Sequence, residues 1–113
     1  MNEDNREGKK LRELLADWAG AVAGTGFPKP PEYGGRDVWI THLTEKTSEV
    51  TPGACFVARV RETSDGHPYI GRAIDNGAAL ILAQKAAEEV DAQIPEDVGY
   101  LQVPDTAVAS AWL

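Results

Sequence analysis

EVTPGACFVARVRETSDGHPYIGRAIDNGAALIL, residues 49–82, is the stretch whose reading decides the fold. Pro52-Gly53 is a turn pair. Behind it Ala54, Cys55, Phe56, Val57 and Ala58 run without polar alternation, the pattern of a strand buried on both faces. Arg59, Val60 and Arg61 bring alternation back, so the strand surfaces there. Residues 61–66 are polar, and Asp65-Gly66 supplies turn chemistry ahead of a helix in which Pro68 takes a tolerated first-turn position. Tyr69, Ile70, Ala73 and Ile74 fall at helical spacing on one face. Asp75-Asn76-Gly77 ends that helix with Gly at the left-handed capping position, and AALILA, residues 78–83, is a second unbroken apolar run. The stretch reads as a βαβ unit with both strands buried and parallel.

Upstream, VWITHL at 38–43 is β-branched and aromatic enough for a strand. His42 shares a face there with Val38 and Ile40 and is expected to be a half-buried, hydrogen-bonded histidine. TEKTSEVT at 44–51 is a hydroxyl-rich connection into the core strand. Residues 9–22 predict an amphipathic helix, with Leu11, Leu14, Leu15, Trp18, Ala19 and Val22 repeating at three and four, and Gly24, Gly26 and Pro28 ending it. FPKPPEYGGRD, 27–37, is an extended connector, and MNEDNREG, 1–8, is expected to be a disordered terminus. Downstream, 84–93 reads as a short helix through Ala86, Ala87 and Val90, GYLQV at 99–103 as a strand, and Pro104-Asp105-Thr106 as the cap of a last helix beginning AVASAWL. That helix stops at residue 113 before completing its turns, as a longer protein looks when it is cut. The expected fold class is α/β: a mixed, mostly parallel sheet of strands 38–43, 54–60, 78–83 and 99–103, covered on both faces by the helices at 11–22 and 69–76.

The chain of 113 residues is one domain's worth. Its composition, 42% hydrophobic and 26% charged, is that of an ordinary globular protein. It contains neither an apolar run of membrane-spanning length nor a leader pattern, so a cytoplasmic location without membrane association is expected. Eighteen acidic against eleven basic side chains give a net charge of -7, which repels polyanions and removes nucleic acid as a partner class. Cys55 is the single cysteine, which rules out an intramolecular disulfide and a cysteine-based zinc cluster. Its place between Ala54 and Phe56 marks it as core. His42 and His67 have no metal-ligand spacing to an acid, and Glu88-Glu89 point to different sides of a helix. Gly8-Lys9 lacks the upstream glycine and the hydroxyl of a phosphate-binding P-loop, and Gly24 and Gly26 follow a helix instead of a strand. No catalytic residue, metal or cofactor is therefore expected within this chain. The loop at 61–66 remains: it leaves the carboxyl end of a parallel strand and enters a helix N-terminus, where α/β sheets bind phosphates and nucleotides. Thr63 and Ser64 add hydroxyls. Equally, these residues serve as helix caps.

Four motifs in order carry a resemblance. They are V-T-P-G-A-C-F-V-A from Val50, D-G-H-P-Y-I from Asp65, A-I-D-N-G-A from Ala73, and V-P-D-T-A-V-A from Val103. With matching gaps over about two-thirds of the chain, they resemble the N-terminal domain of the Mur ligases, which read V-x-P-G-x-L-F-V-A, D-G-H-x-F-I, A-x-x-x-G-A and V-x-D-x-x-x-A-L-A. The nearer type is MurE, which adds the third amino acid to UDP-N-acetylmuramoyl-L-alanyl-D-glutamate in peptidoglycan synthesis; MurF is a near variant. The resemblance implies that residues 1–113 are the first domain of a longer ligase of cell-wall biogenesis and division, and that this domain holds the uridine diphosphate end of a UDP-linked muramoyl peptide. ATP and Mg2+ belong to the central domain and amino-acid positioning to the C-terminal one, so the fragment alone binds but does not ligate.

The family's D-S-R motif falls on Lys46, Thr47 and Ser48, with Thr47 keeping the hydroxyl and the acid and arginine gone. Its nucleotide-side loop falls on Arg61, Glu62, Thr63 and Ser64. The resemblance thus implies Thr47, Thr63, Ser64, Asp65 and Gly66 as UDP-sugar contacts, with Glu45, Ser48 and Glu62 at the margin of the set. Glu62 opposes the assignment, because a carboxylate about 4 Å from a phosphate costs about 1 kcal/mol in water and roughly 4 near a protein surface. A helix N-terminus returns only about 0.3–1 kcal/mol. Diphosphate binding then needs Glu62 to point away or to pair with Arg59 or Arg61. The alternative is a non-enzymatic binding or regulatory module that keeps the fold and has lost the nucleotide.

Overall fold

The apolar runs that open the reading become the two central strands of a parallel sheet. The computed structural model describes residues 8–26, 29–31, 33, 35, 37–90 and 92–112; residues 1–7 of the expected disordered terminus and much of the Pro-rich connector lie outside them, while Gly8, the last residue of that expected terminus, is placed with positive φ close against Ile40. In chain order the elements are β1 (Lys9–Lys10), α1 (Leu11–Val22), β2 (Trp39–Ile40), β3 (His42–Thr44), β4 (Ala54–Val57), β5 (Val60–Arg61), β6 (Ser64–Asp65), α2 (Ile70–Asp75), β7 (Leu80–Ala83), β8 (Gly99–Gln102) and α3 (Thr106–Trp112). The main sheet has the order β3-β4-β7-β8, every pair parallel. Its central strands are buried at every position, as runs without alternation require. Two antiparallel ribbons, β1-β2 and β5-β6, supply the mixed character.

Period-two geometry sends alternate residues of each strand to opposite faces. Cys55, Val57, Leu80, Leu82, Leu101 and Val103 meet Leu11, Trp18 and Val22 of α1 and Ala109 of α3. On the other face, Ala54, Phe56, Ala58, Ile81 and Ala83 meet Ile70 and Ala73 of α2. Helices thus cover both faces, as the sequence predicts. Two turn glycines close the amino edge: Gly53 (φ 96°) donates its N–H to the carbonyl of Gly77 (φ 107°) at 3.3 Å.

Five expectations need correction. The single strand at 38–43 is two, because Trp39–Ile40 pair with Lys9–Lys10, while Thr41 N–H turns to the Gly53 carbonyl at 2.9 Å and only His42–Thr44 join the sheet. That pairing also takes Lys9 and Lys10 out of the N-terminal helix. The strand at 54–60 stops at Val57, and Val60–Arg61 fold back on Ser64–Asp65. The helix at 84–93 is a single 3₁₀ turn, Ala87–Glu89. Beyond it Val90, Ala92 and Ile94 pack on the α2 face at every second residue, the spacing of extended chain. Finally, the helix at 69–76 begins as a 3₁₀ turn, His67–Tyr69, which leaves Tyr69 55% exposed and off the apolar face.

Candidate functional site

Parallel strands end together, so the exits of β3, β4, β7 and β8 lie along one edge, where polar groups link them. Glu45, after β3, takes Arg61 Nη2 on one carboxylate oxygen at 2.8 Å and Arg59 Nη2 on the other at 3.2 Å. Gly66 N–H donates to the Arg59 carbonyl at 2.9 Å, closing the base of the β5-β6 hairpin. Asp65 Oδ1 accepts from the backbone N–H of His67 at 2.9 Å and from its Nδ1 at 2.5 Å, and Lys85 Nζ stands 3.6 Å from Oδ2. The His67 backbone N–H, first, and then its ring hold the Asp65 carboxyl below its ordinary value.

His67 is buried, and its Nε2 meets the backbone N–H groups of Gln84 at 3.1 Å and Lys85 at 3.2 Å. A backbone N–H only donates, so Nε2 is the acceptor and the ring proton sits on Nδ1, aimed at Asp65. Gln84 carries the chain of contacts on to β8 and α3. Its Oε1 accepts from Thr106 N–H at 3.1 Å and Thr106 Oγ1 at 3.2 Å, and its carbonyl accepts from Gln102 Nε2 at 3.3 Å.

Beside the first of these links opens a shallow cavity of about 180 Å³ lined by Glu45, Arg59, Arg61, Ser64, Asp65, Gly66 and Tyr69. Of the eight residues that the resemblance implies, it brings together Glu45, Ser64, Asp65 and Gly66. Thr63 and Glu62 form the exposed turn of the hairpin. Thr47 and Ser48 belong to the 3₁₀ turn Thr47–Glu49 of the crossover, where the Thr47 carbonyl accepts from Asn76 Nδ2 at 3.0 Å, at the far end of α2. Of the two arrangements open to Glu62, pointing away or pairing with an arginine, the first is found: Arg59 and Arg61 are both taken by Glu45, and Glu62 is exposed to solvent. Nor is the loop an open helix N-terminus: residues 60–65 are a hairpin, α2 has six residues, and the first amides of the turn ahead of it bond to Asp65 and Gly66. Asp65 accepts the first amide of that turn from the position before its N-cap, Gly66.

Sequence reasoning left Arg59, Arg61 and Tyr69 out of the contact set, although the resemblance put Arg61 in the nucleotide-side loop. The two arginines carry a legible signal, because positions two apart in extended chain share a side. Tyr69 carries a misleading one, since its spacing from Ala73 imitates a helix face. Arg59 has a further property: its Nε is buried without an acceptor among the described residues, an arrangement that costs about 1–3 kcal/mol. A second cavity, about 290 Å³, is lined by His67, Pro68, Lys85, Glu89 and Val90. His42 is half-buried and hydrogen-bonded to Thr41 Oγ1 and the Glu49 carbonyl, as its position predicts. Cys55 is fully buried, which pushes its thiol up to about 12. Among the described residues no three His, Cys, Asp or Glu side chains gather to hold a metal ion, and no helix is long and apolar enough to cross a membrane.

No family model matches the chain. The UDP-N-acetylmuramoyl-L-alanyl-D-glutamate–2,6-diaminopimelate ligase of Bacteroides fragilis is 37% identical over 97 residues, 86% of this chain and 17% of that protein. The enzyme of the same name from Chlorobaculum tepidum is 44% identical over 74 residues, 66% of this chain and 14% of that one. The chain is a Mur ligase domain. Its fold agrees: a crystal structure of MurF from Acinetobacter baumannii superposes with a TM-score of 0.54 over 86% of this chain and 18% of that one, at 17% identity. This Mur ligase domain therefore spans about a sixth of the length of the curated relatives it matches.

Proposed function

We propose that this domain binds the uridine diphosphate end of a UDP-N-acetylmuramoyl peptide, as the first domain of a cytoplasmic ATP-dependent ligase of peptidoglycan synthesis. The observation that carries the reading is the cavity at the carboxyl edge of the sheet, where Ser64, Asp65 and Gly66 of the hairpin stand beside two guanidinium groups. Parallel sheets offer ligands this edge because the chain leaves each strand there in a loop. In the proposed site Ser64 and Thr63 supply hydroxyl donors, Gly66 allows close approach of backbone, and Asp65 fixes the hairpin through His67. Thr47 contributes its hydroxyl from the neighbouring crossover, flanked by Ser48, and Glu62 sits at the solvent rim. Catalysis, ATP and Mg2+ belong to the rest of such a ligase, whose remaining domains are the partners of this one.

Titration with UDP and with UDP-N-acetylmuramic acid, followed by amide NMR, tests the reading. Shifts confined to Thr47 and residues 63–66 at millimolar ligand are expected; an unchanged hairpin at saturation removes the nucleotide from this domain. A second reading, a module that keeps the fold without the nucleotide, is favoured by one observation: both arginines of the cavity are already occupied by Glu45. The same titration separates the two.

A further inference from the structure

Arg59 and Arg61 stand two residues apart in extended chain and reach the same carboxylate from the same side, one guanidinium to each oxygen. A carboxylate bridging two guanidinium groups presents its oxygens much as the non-bridging oxygens of a phosphate do, and Arg recognises both through the same planar fork. Glu45 comes from the exit of another strand and lies 33% exposed at the rim, so it can leave without opening the core. Arg59 already has an unanswered donor in its buried Nε. The other carboxylate of the cavity, Asp65, is turned to His67 and Lys85. With Glu45 in place the three side chains sum to one positive charge; with Glu45 away the pair presents two.

We infer that Arg59 and Arg61 are a phosphate- or diphosphate-recognising pair and that Glu45 is its built-in competitor, occupying in the unliganded domain the place an incoming anion takes. The inference rests on the reading of this cavity as the one that receives the diphosphate, and it adds the groups that hold the anion and the group that must be displaced. Selectivity follows from the competition: a singly charged anion exchanges one carboxylate for another and gains nothing, whereas a diphosphate brings more charge to both guanidinium groups than Glu45 does.

The test titrates inorganic pyrophosphate, UDP and uridine into the wild-type domain, Glu45→Gln, Arg61→Gln and the double variant, with amide spectra as the check on folding. Glu45→Gln is expected to bind pyrophosphate about tenfold more tightly than wild type, roughly 1.4 kcal/mol, with the Nε–H signals of Arg59 and Arg61 shifting on binding. Arg61→Gln in the Glu45→Gln background is expected to abolish the gain. Equal or weaker pyrophosphate binding by a folded Glu45→Gln domain overturns the inference, as does a gain that survives loss of Arg61, which would be a general charge effect. In the wild type, pyrophosphate that moves neither arginine signal nor the Glu45 carboxylate carbon at saturation also counts against it. Uridine, lacking phosphate, separates the two ideas. Hairpin shifts with uridine and UDP but no effect of Glu45→Gln leave the nucleotide reading standing without the competitor. Pyrophosphate captured through the arginines with no response to uridine or UDP leaves the competitor standing without the nucleotide.

Discussion

Replacing His67 with Ala should cost the domain far more than a surface histidine would. The substitution removes the charge-assisted hydrogen bond to Asp65, and bonds to charged groups contribute about 1.5–3 kcal/mol. It also strands the N–H groups of Gln84 and Lys85, each worth about 1–3 kcal/mol if left buried and unpaired. Water reaching the vacated space from the adjoining cavity of His67, Pro68 and Lys85 restores part of that loss. The net expectation is about 2–4 kcal/mol, a large share of the roughly 5–15 kcal/mol that holds a domain of this size together. In thermal unfolding this is a fall of about 8–16 °C, at about 4 °C per kcal/mol. Urea titration at pH 7 measures it directly, and two variants divide it. His67→Gln places an acceptor near Nε2 and should keep the Gln84 and Lys85 amides protected from hydrogen exchange. His67→Asn places a donor near Nδ1 and should keep Asp65 but release those amides. A folded His67→Ala within about 0.5 kcal/mol of wild type, or identical exchange at Gln84 and Lys85 in all three variants, would refute the assignment of Nε2 as the acceptor that joins the hairpin to β7.

Asp65 makes a pH prediction of definite sign: its folded carboxyl lies below the ordinary value of 3.8, so its contribution is complete above that pH and vanishes as pH falls through the folded value. The gap in urea midpoint between wild type and Asp65→Asn should be constant from about pH 7 to 5 and close below about pH 4; a gap that ignores pH contradicts it. A Cβ at Gly66 would stand 2.9 Å from Arg59 N and 3.0 Å from Ala58 Cα, so Gly66→Ala should cost about 1–3 kcal/mol and move the amide signals of residues 58–66, whereas a neutral effect denies the close approach. Cys55, with its thiol pushed up to about 12 by burial, should resist alkylation at pH 8 in the folded domain and react fully in denaturant. Its raised value also means that stability falls as pH climbs above about 9, where the unfolded thiol ionises and the buried one does not.

The local elements were legible because their causes are local. The runs at 54–58 and 78–83 lack alternation, so they lie at the centre of a parallel sheet; Leu11, Trp18 and Val22 repeat at helical spacing, so they face the core; and Gly53 and Gly77 stand where the chain takes positive φ. Where two periods compete the sequence misleads. Val90, Ala92 and Ile94 alternate as extended chain inside a segment whose composition favours a helix, and Tyr69 sits at helical spacing from Ala73 yet precedes the first helical turn.

The site divides along the same line. That Ser64, Asp65 and Gly66 stand together at this cavity was legible from turn chemistry and motif spacing, since both are properties of neighbours in sequence. Glu45 closing on Arg59 and Arg61, and His67 accepting the amides of Gln84 and Lys85, could not be, for these partners are 14 to 18 residues apart along the chain. What brings them together is the order β3-β4-β7-β8, which sets the exits of successive strands side by side. A sequence states that each exit is polar; only the packed sheet decides which polar group at one exit meets which at the next, because that depends on register between strands and not on any residue's immediate neighbours.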